Sequence, residues 1–306
     1  DKWVPHIEKT AGKLTGNIKI SNTLNQPHYR VNLNLEKGKT TLKEMGLTLK
    51  EINFNLNGTP QDGIIKGTLF SDNALLSIHG KTSYKNAHLL SEFNFTGNNF
   101  PFINTSEYKV NASPTLLFKS DNKNLQLEGN IKITSATISP NDFSSTLELP
   151  DDVILVSSSA PKESIFKLGY LLDLDLGDKT NVSIEGLKGR LKGHLRLNAP
   201  INQAIRATGS LAIVKGAYQA YGQDLKITQG KFIYAGGPIN NPGLLVQASR
   251  SFNLDTQYST DFSQGFSEED NKVTVGLLIK GRLKSLETTL FSVPSSHSQS
   301  DILSML

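Results

Sequence analysis

Three groups of side chains in this 306-residue chain have types that could support metal binding or acid–base chemistry. Asp173, Asp175 and Asp178 resemble a fragment of a calcium loop, but leucines alternate with them, which favours the polar face of a strand. Glu268, Glu269 and Asp270 lie in a Ser-rich acidic loop, and three adjacent acids there are interpreted as solvated. The histidines lack metal-site spacing, so solvated side chains are the favoured interpretation. These are His6, His28, His79, His88, His194 and His297.

The composition and the motifs of the chain exclude several other kinds of chemistry. The chain has no Cys, which excludes disulfides, thiolate zinc sites and a Cys nucleophile. No nucleophile elbow, zinc-protease pair or phosphate-binding glycine loop is present. The net charge is +4, but the basic residues are scattered singly along the sequence, which favours a solvated face over nucleic-acid binding. We therefore predict a protein that is not an enzyme, with no catalytic residues, no metal and no cofactor.

The elements that would position any site are strands. Apolar residues recur at every second position, with Asn, Lys, Thr or Ser between them, as in Leu33 to Leu35 and Phe93 to Phe95. Because side chains on a strand point to opposite faces with a period of two, each segment has one apolar face and one polar face. The pattern predicts an all-β fold of short antiparallel strands.

Turn residues and loops divide the chain. We predict an N-terminal part of a repetitive sheet over residues 1–156, a loop or linker over 157–163, and a C-terminal part over 164–306. A polar loop is expected at 263–271. Ser298 or Ser300 is expected to cap a short helix that begins near Asp301. The sequence has neither a helical membrane span nor a signal peptide, and we interpret it as a piece of a longer protein.

A sheet with one apolar face must hide that face. It can pack on a second sheet, close into a barrel, or fold on itself so that the apolar faces line a trough. The residue pattern alone leaves these three solutions open.

Several stretches, in their order and spacing, carry a resemblance to a known family. The first stretch runs from Gly209 to Ile227 (GSLAIVKGAYQAYGQDLKI), and the second runs from Gly230 to Leu244 (GKFIYAGGPINNPGL). The upstream run 186–195 (GLKGRLKGHL) and the later runs 275–281 (VGLLIKG) and 290–304 agree with the same pattern. Together they resemble the C-terminal region of the TamB family, AsmA-like proteins regarded as bridges for lipid transfer.

This resemblance implies a fold and a function. The fold would be an elongated, curled antiparallel sheet folded on itself, a β-taco with an apolar inner trough. The trough would shield phospholipid acyl chains between inner and outer membranes, in the periplasm of a Gram-negative bacterium and within an inner-membrane-anchored protein. Lining candidates are Leu33, Leu35, Phe54, Leu56, Phe93, Phe95, Leu127, Ile131, Ile133, Leu172, Leu174, Val182, Ile184, Leu195, Leu197, Leu211, Ile213, Leu225, Ile227, Phe232, Tyr234, Val273, Val275, Leu277 and Ile279.

Two alternatives come from other classes of function. The resemblance also implies an assembly module that docks by strand addition onto an outer-membrane barrel partner of the TamA type, with Asp301, Ile302 and Leu303 as docking candidates. A purely structural β-sandwich would need no ligand.

Overall fold

The computed structural model describes residues 7–140, 167–253 and 272–306, except 24, 26, 27, 60, 86, 87, 123, 185, 202, 221 and 296. These residues form sixteen strands and one helix, so the all-β prediction is confirmed. The elements are β1 (Ile7–Ser21), β2 (His28–Leu42), β3 (Leu47–Gly58), β4 (Asp62–Ser71), β5 (Ala74–Lys85), β6 (His88–Gly97), β7 (Phe100–Asn104), β8 (Tyr108–Asp121), β9 (Asn124–Ile138), β10 (Lys167–Ile184), β11 (Leu187–Ala199), β12 (Arg206–Ala220), β13 (Gln223–Pro238), β14 (Gly243–Asn253), β15 (Lys272–Arg282), β16 (Ser285–Val293) and α1 (Gln299–Met305).

All sixteen strands belong to one sheet, in which neighbours along the chain are mostly neighbours in space. The order runs from β1 to β6, then from β8 to β16, and β7 pairs with β8 beside this path. In the part of the chain that the structure describes, β1 and β16 are the two ends of the order and do not pair with each other. The sheet is therefore open, and the barrel is excluded for these residues.

The pairing is antiparallel everywhere in the described sheet except between β9 and β10. These two strands run parallel, with Leu127 opposite Tyr170 and Ile131 opposite Leu174. A parallel pair needs a long connection between the end of one strand and the start of the next. Most of that connection, including the linker predicted at 157–163, lies outside the described residues. The polar loop predicted at 263–271 also lies outside them.

Strand β7 folds back across one end of the N-terminal strands. The amide of Asn104 donates to the carbonyl of Met45 at 2.7 Å, which ties β7 to the turn between β2 and β3. The ring of Phe100 is buried and meets the ring of Phe102 edge-on, with centroids 5.4 Å apart. Leu47 is also buried at this end. The N-terminal part of the sheet therefore has a packed cap at one end.

Two glycines in adjacent strands allow a close approach of backbones. Gly193 and Gly209 have φ angles of 149° and 120°, which L side chains rarely adopt. A Cβ at Gly193 would lie 2.2 Å from the carbonyl oxygen of Ser210, and one at Gly209 would lie 2.3 Å from that of His194. Only glycine fits at these two positions, where β11 and β12 run against each other.

Candidate functional site

The register of the sheet brings the predicted lining residues to one face. Residues directly opposite in paired strands share a face, so rows can be followed from strand to strand. One row runs from Leu35 through Phe54 and Gly67 to Ile78 and Phe95. Each of the twenty-five lining candidates belongs to this face, either in such a row or through its partners in the core.

A second row shows that the same face continues into the C-terminal strands. It runs from Ile131 through Leu174, Leu195 and Gly209 to Tyr234. Burial raises the pKa of the Tyr234 phenol, as expected for a hydroxyl held against apolar neighbours. The sheet therefore carries one largely apolar face across these strands, and we call it the inner face.

The C-terminal part of the inner face is packed. From β10 onward its side chains form a single hydrophobic core, in which Leu225 and Val275 are fully buried and Leu277 is 3% exposed. The buried members are Val182, Leu191, Leu195, Leu211, Ile213, Leu225, Ile227, Val246, Ala248, Val273, Val275, Leu277, Ile302 and Leu306. Their own side chains fill the space on this side of the sheet.

The N-terminal part of the inner face is more open. Leu33 is 38% exposed, and the other lining candidates from β2 to β9 are half-buried. In the edge strand β1, Leu14, Ile18 and Ile20 are 70%, 65% and 64% exposed. These three residues continue the face, because they lie opposite Leu35, Val31 and Tyr29 of β2. Burial along the inner face thus falls from β10–β15 toward β1.

Helix α1 covers the end of the packed part. Ile302 and Leu306 are each 4% exposed and belong to the core. The cap is the predicted Ser298: its hydroxyl accepts from the Asp301 amide at 3.2 Å, and Asp301 Oδ2 accepts from the Ser298 amide at 3.1 Å. Hydrogen bonds from Ser298 lower the pKa of Asp301. Of the three docking candidates, Asp301 holds the cap, Ile302 is buried and Leu303 is exposed.

The opposite face of the sheet is polar and carries the aspartates noted in the sequence. Arg196 donates to both carboxylate oxygens of Asp173, from Nε at 2.8 Å and from Nη2 at 2.9 Å. These hydrogen bonds lower the pKa of Asp173. The Nζ of Lys192 lies 3.0 Å from Asp178. Two of the three aspartates therefore pair with basic side chains of β11.

The histidines among the described residues are dispersed along the chain. His88 Nδ1 lies 3.0 Å from Asp121 Oδ1, and His194 Nε2 lies 3.5 Å from Asp173 Oδ1. Among the residues that the structure describes, no three His, Cys, Asp or Glu side chains are grouped as potential metal ligands. His6 and the acidic residues at 268–270 lie outside the described part. The inner face remains the candidate functional site.

Some inner-face residues were not selected from the sequence. Ile65, Ile78, Leu116 and Phe118 lie in the same rows as the candidates. The signal for β1 was present in the alternation of Ile18, Lys19 and Ile20. Within the described residues, no helix is long and apolar enough to cross a membrane.

The fold and the inner face define a class of protein, an open all-β sheet with one largely apolar face. A sequence profile described as the TamB C-terminal domain matches residues 69–306, and the chain belongs to the TamB family. This match confirms the resemblance and begins far upstream of the stretches that carried it.

A relative from Haemophilus influenzae (strain Rd) extends the similarity to nearly the whole chain. This protein, named translocation and assembly module subunit TamB, is 26% identical over 303 residues. The alignment covers 94% of this chain but 22% of the relative. The chain therefore spans less than a quarter of that relative's length.

Proposed function

We propose that this chain is one segment of a periplasmic bridge that shields phospholipid acyl chains on its inner face during transport between the inner and outer membranes. The observation that supports the proposal most directly is the set of half-buried apolar side chains in adjacent rows across β2 to β9. Phe54 and Phe95 lie in one such row and Phe93 lies in the next. Most polar residues of these strands are on the opposite face, although Thr82 and Ser91 form a pair on the inner face.

Energetics favour this use of the face. Moving an acyl chain of about sixteen carbons through water costs on the order of 12 kcal/mol, at about 0.8 kcal/mol for each methylene group. Aliphatic and aromatic side chains offer methylenes a surface without directional contacts, so a tail can slide along them. The headgroup stays in water, because burying an unpaired charge is costly.

The burial gradient assigns the two parts of the sheet different roles in this proposal. From β1 to β9 the inner face has exposed apolar surface for a tail to cover. From β10 to β15 the same face is covered by the protein's own side chains and by Ile302 and Leu306 of α1. In the conformation described, we place bound tails on the N-terminal strands only.

The test is lipid retention by the purified chain. Phe95→Arg places a charge on the inner face in β6, and Asn94→Arg places it one residue away, on the exposed polar face. We expect native mass spectrometry to find co-purified phospholipid with the unmodified chain and with Asn94→Arg, and at least tenfold less with Phe95→Arg. Equal retention by the two variants would count against the inner face, and circular dichroism checks that both remain folded.

A second candidate function is docking to an outer-membrane barrel partner by strand addition. It is supported by β16, the last strand of the sheet order, which pairs with β15 on one side and with no other described strand. Leu286 in β16 is 43% exposed, and Leu303 is 47% exposed in α1, which contacts β16. An edge with unpaired backbone groups is a template for another strand.

Docking is tested with different substitutions from lipid shielding and with a different measurement, the capture of a barrel partner. Leu286→Asp with Leu303→Asp should abolish capture of a purified barrel partner of the TamA type while leaving lipid retention unchanged. Undiminished capture would dismiss this edge as the docking site. Phe95→Arg is the matched control, since it should leave capture unchanged.

A further inference from the structure

A row of polar side chains, with a long basic side chain at each end, crosses four strands on the polar face. Lys109 lies opposite Thr137, Thr137 opposite Asn181, and Asn181 opposite Arg190. Neighbouring strands are about 4.8 Å apart, so the row places Lys109 and Arg190 roughly 14 Å apart at the backbone. Side chains of this length can reach a common ligand from both ends.

The same row forms the floor of a cleft of about 990 Å³. The turn at Asp72 and Asn73 and the strand β7 supply its walls. Side-chain amides, which donate and accept hydrogen bonds, line much of it. These amides belong to Asn73, Asn98, Asn99, Asn104, Asn111 and Asn181.

The charge in this cleft is net positive, with three basic side chains and one carboxylate among the lining residues. Lys109, Lys179 and Arg190 line it, and none of them forms an ion pair with another residue that the structure describes. Asp178 lines it too: Lys192 lies 3.0 Å from this carboxylate and, with a smaller contribution from the charge of Arg190, lowers its pKa. Arg190 also lies directly opposite Lys215 of β12, and like charges placed so are destabilising. An anion in the cleft would relieve this repulsion.

We propose that this cleft binds a phosphate-bearing, hydroxyl-rich ligand. The guanidinium of Arg190 and the ammonium groups of Lys109 and Lys179 provide charge-assisted hydrogen bonds to the phosphate oxygens. The asparagine amides have the mixed donor and acceptor character that neighbouring hydroxyls need. A concave site suits a compact group better than the flat surface of an acidic protein.

This site is separate from the proposed acyl-chain function, because its floor, the row from Lys109 to Arg190, lies on the opposite face of the sheet. A phosphate with neighbouring hydroxyls has two sources, the headgroup of an anionic lipid and a free phosphorylated polyol. Glycerol 1-phosphate presents the shared chemistry without tails. Vesicles of phosphatidylcholine with a quarter phosphatidylglycerol present it on a lipid surface.

The experiment compares binding by the whole chain and by charge variants. Calorimetric titration with glycerol 1-phosphate should show binding at least tenfold tighter than with glycerol. The double variant Arg190→Gln with Lys109→Gln should weaken binding by tenfold or more. Lys231→Gln is the matched control: it removes one exposed cation of the polar face outside the cleft and should leave binding unchanged. Arg190→Lys, which keeps the charge but loses the planar fork, should weaken binding less than Arg190→Gln.

Each outcome bears on the proposal. Loss of glycerol 1-phosphate binding in the double variant supports a free phosphorylated ligand, and a loss seen only in vesicle flotation supports the lipid headgroup. Equal binding by the unmodified chain and the double variant in both arms overturns the proposal. Preferential binding of poly-glutamate over both phosphate probes also overturns it, in favour of an acidic protein partner.

Discussion

The ring of Phe54 in β3 occupies the space that a side chain at Gly67 in β4 would need. A Cβ at Gly67 would lie 2.5 Å from Cε1 of Phe54 and 2.6 Å from Cδ1. The ring therefore lies against the backbone of the neighbouring strand. Gly80 and Phe93 repeat this relationship between β5 and β6, with a Cβ to Cδ1 distance of 2.3 Å. Both rings therefore lie flat against the backbone of the neighbouring strand and project little from the inner face.

We expect Gly67→Val to displace the Phe54 ring and to destabilise the fold by about 1–3 kcal/mol, the usual cost of overpacking. Urea denaturation followed by circular dichroism measures the change. Gly243→Ala is the control, because a Cβ there meets its nearest atom at 3.6 Å, and it should stay within about 0.5 kcal/mol. Equal stability of Gly67→Val and the unmodified chain would show that the Phe54 ring can adopt another position at no cost in stability.

The contrast between the two parts of the inner face gives a second prediction. Leu225→Ala removes a fully buried side chain from the core and should cost about 2–5 kcal/mol. Leu33→Ala changes a residue that is 38% exposed and should cost less than about 1 kcal/mol. Equilibrium urea denaturation tests both variants. Similar losses at the two positions would contradict the burial gradient.

A buried hydroxyl gives a third prediction. Thr180 is 2% exposed, lies opposite Leu191, and its Oγ1 has no hydrogen-bond partner among the described residues. We expect Thr180→Val to stabilise the chain by about 1 kcal/mol, because it removes an unsatisfied polar group and keeps the shape.

Thr274→Val is the matched control for this substitution. Its hydroxyl bonds to Ser251 Oγ at 2.7 Å on the polar face, so the substitution should bring no gain. A loss of stability in Thr180→Val would mean that the hydroxyl has a partner in solution.

The cap of α1 should depend on pH. Because Ser298 lowers the pKa of Asp301 below 3.8, the cap contributes stability above that value and loses it as pH falls through the folded pKa. We expect the α1 amide signals of Ile302 to Met305 to broaden or shift below about pH 3.8 in NMR spectra, while core strand signals persist.

Asp301→Asn removes this titrating carboxylate. It should eliminate the pH response of α1 over the same range. A response that persists in this variant would have another source.

The faces of the strands were predictable because side-chain direction alternates with a fixed period. Leu174 and Leu195 each alternate with polar residues, and the structure brings them into one row with Tyr234. The short helix was predictable because a serine cap precedes it. The local sequence was therefore sufficient to predict both the faces of the strands and the short helix.

The burial of each side chain and its neighbours in adjacent strands were not predictable from the local sequence. Leu33 and Leu225 have the same side chain and the same local alternation, yet one is 38% exposed and the other fully buried, because burial depends on what covers the face. Arg190 and Lys215 appear as scattered charges in the sequence. They become neighbours through the register of β11 and β12, which shifts beside Arg190. The parallel pairing of β9 and β10 likewise departs from the antiparallel expectation.

The most direct test of the acyl-chain function is site-specific photo-crosslinking in cells that express the full-length protein. A photoreactive residue at Phe95 lies on the half-buried inner face, one at Asn94 lies on the polar face, and one at Leu225 lies in the packed core. We expect phospholipid to be captured at Phe95 and not at Asn94 or Leu225. Capture at Asn94 equal to that at Phe95, or no capture at Phe95, would contradict lipid shielding by the inner face.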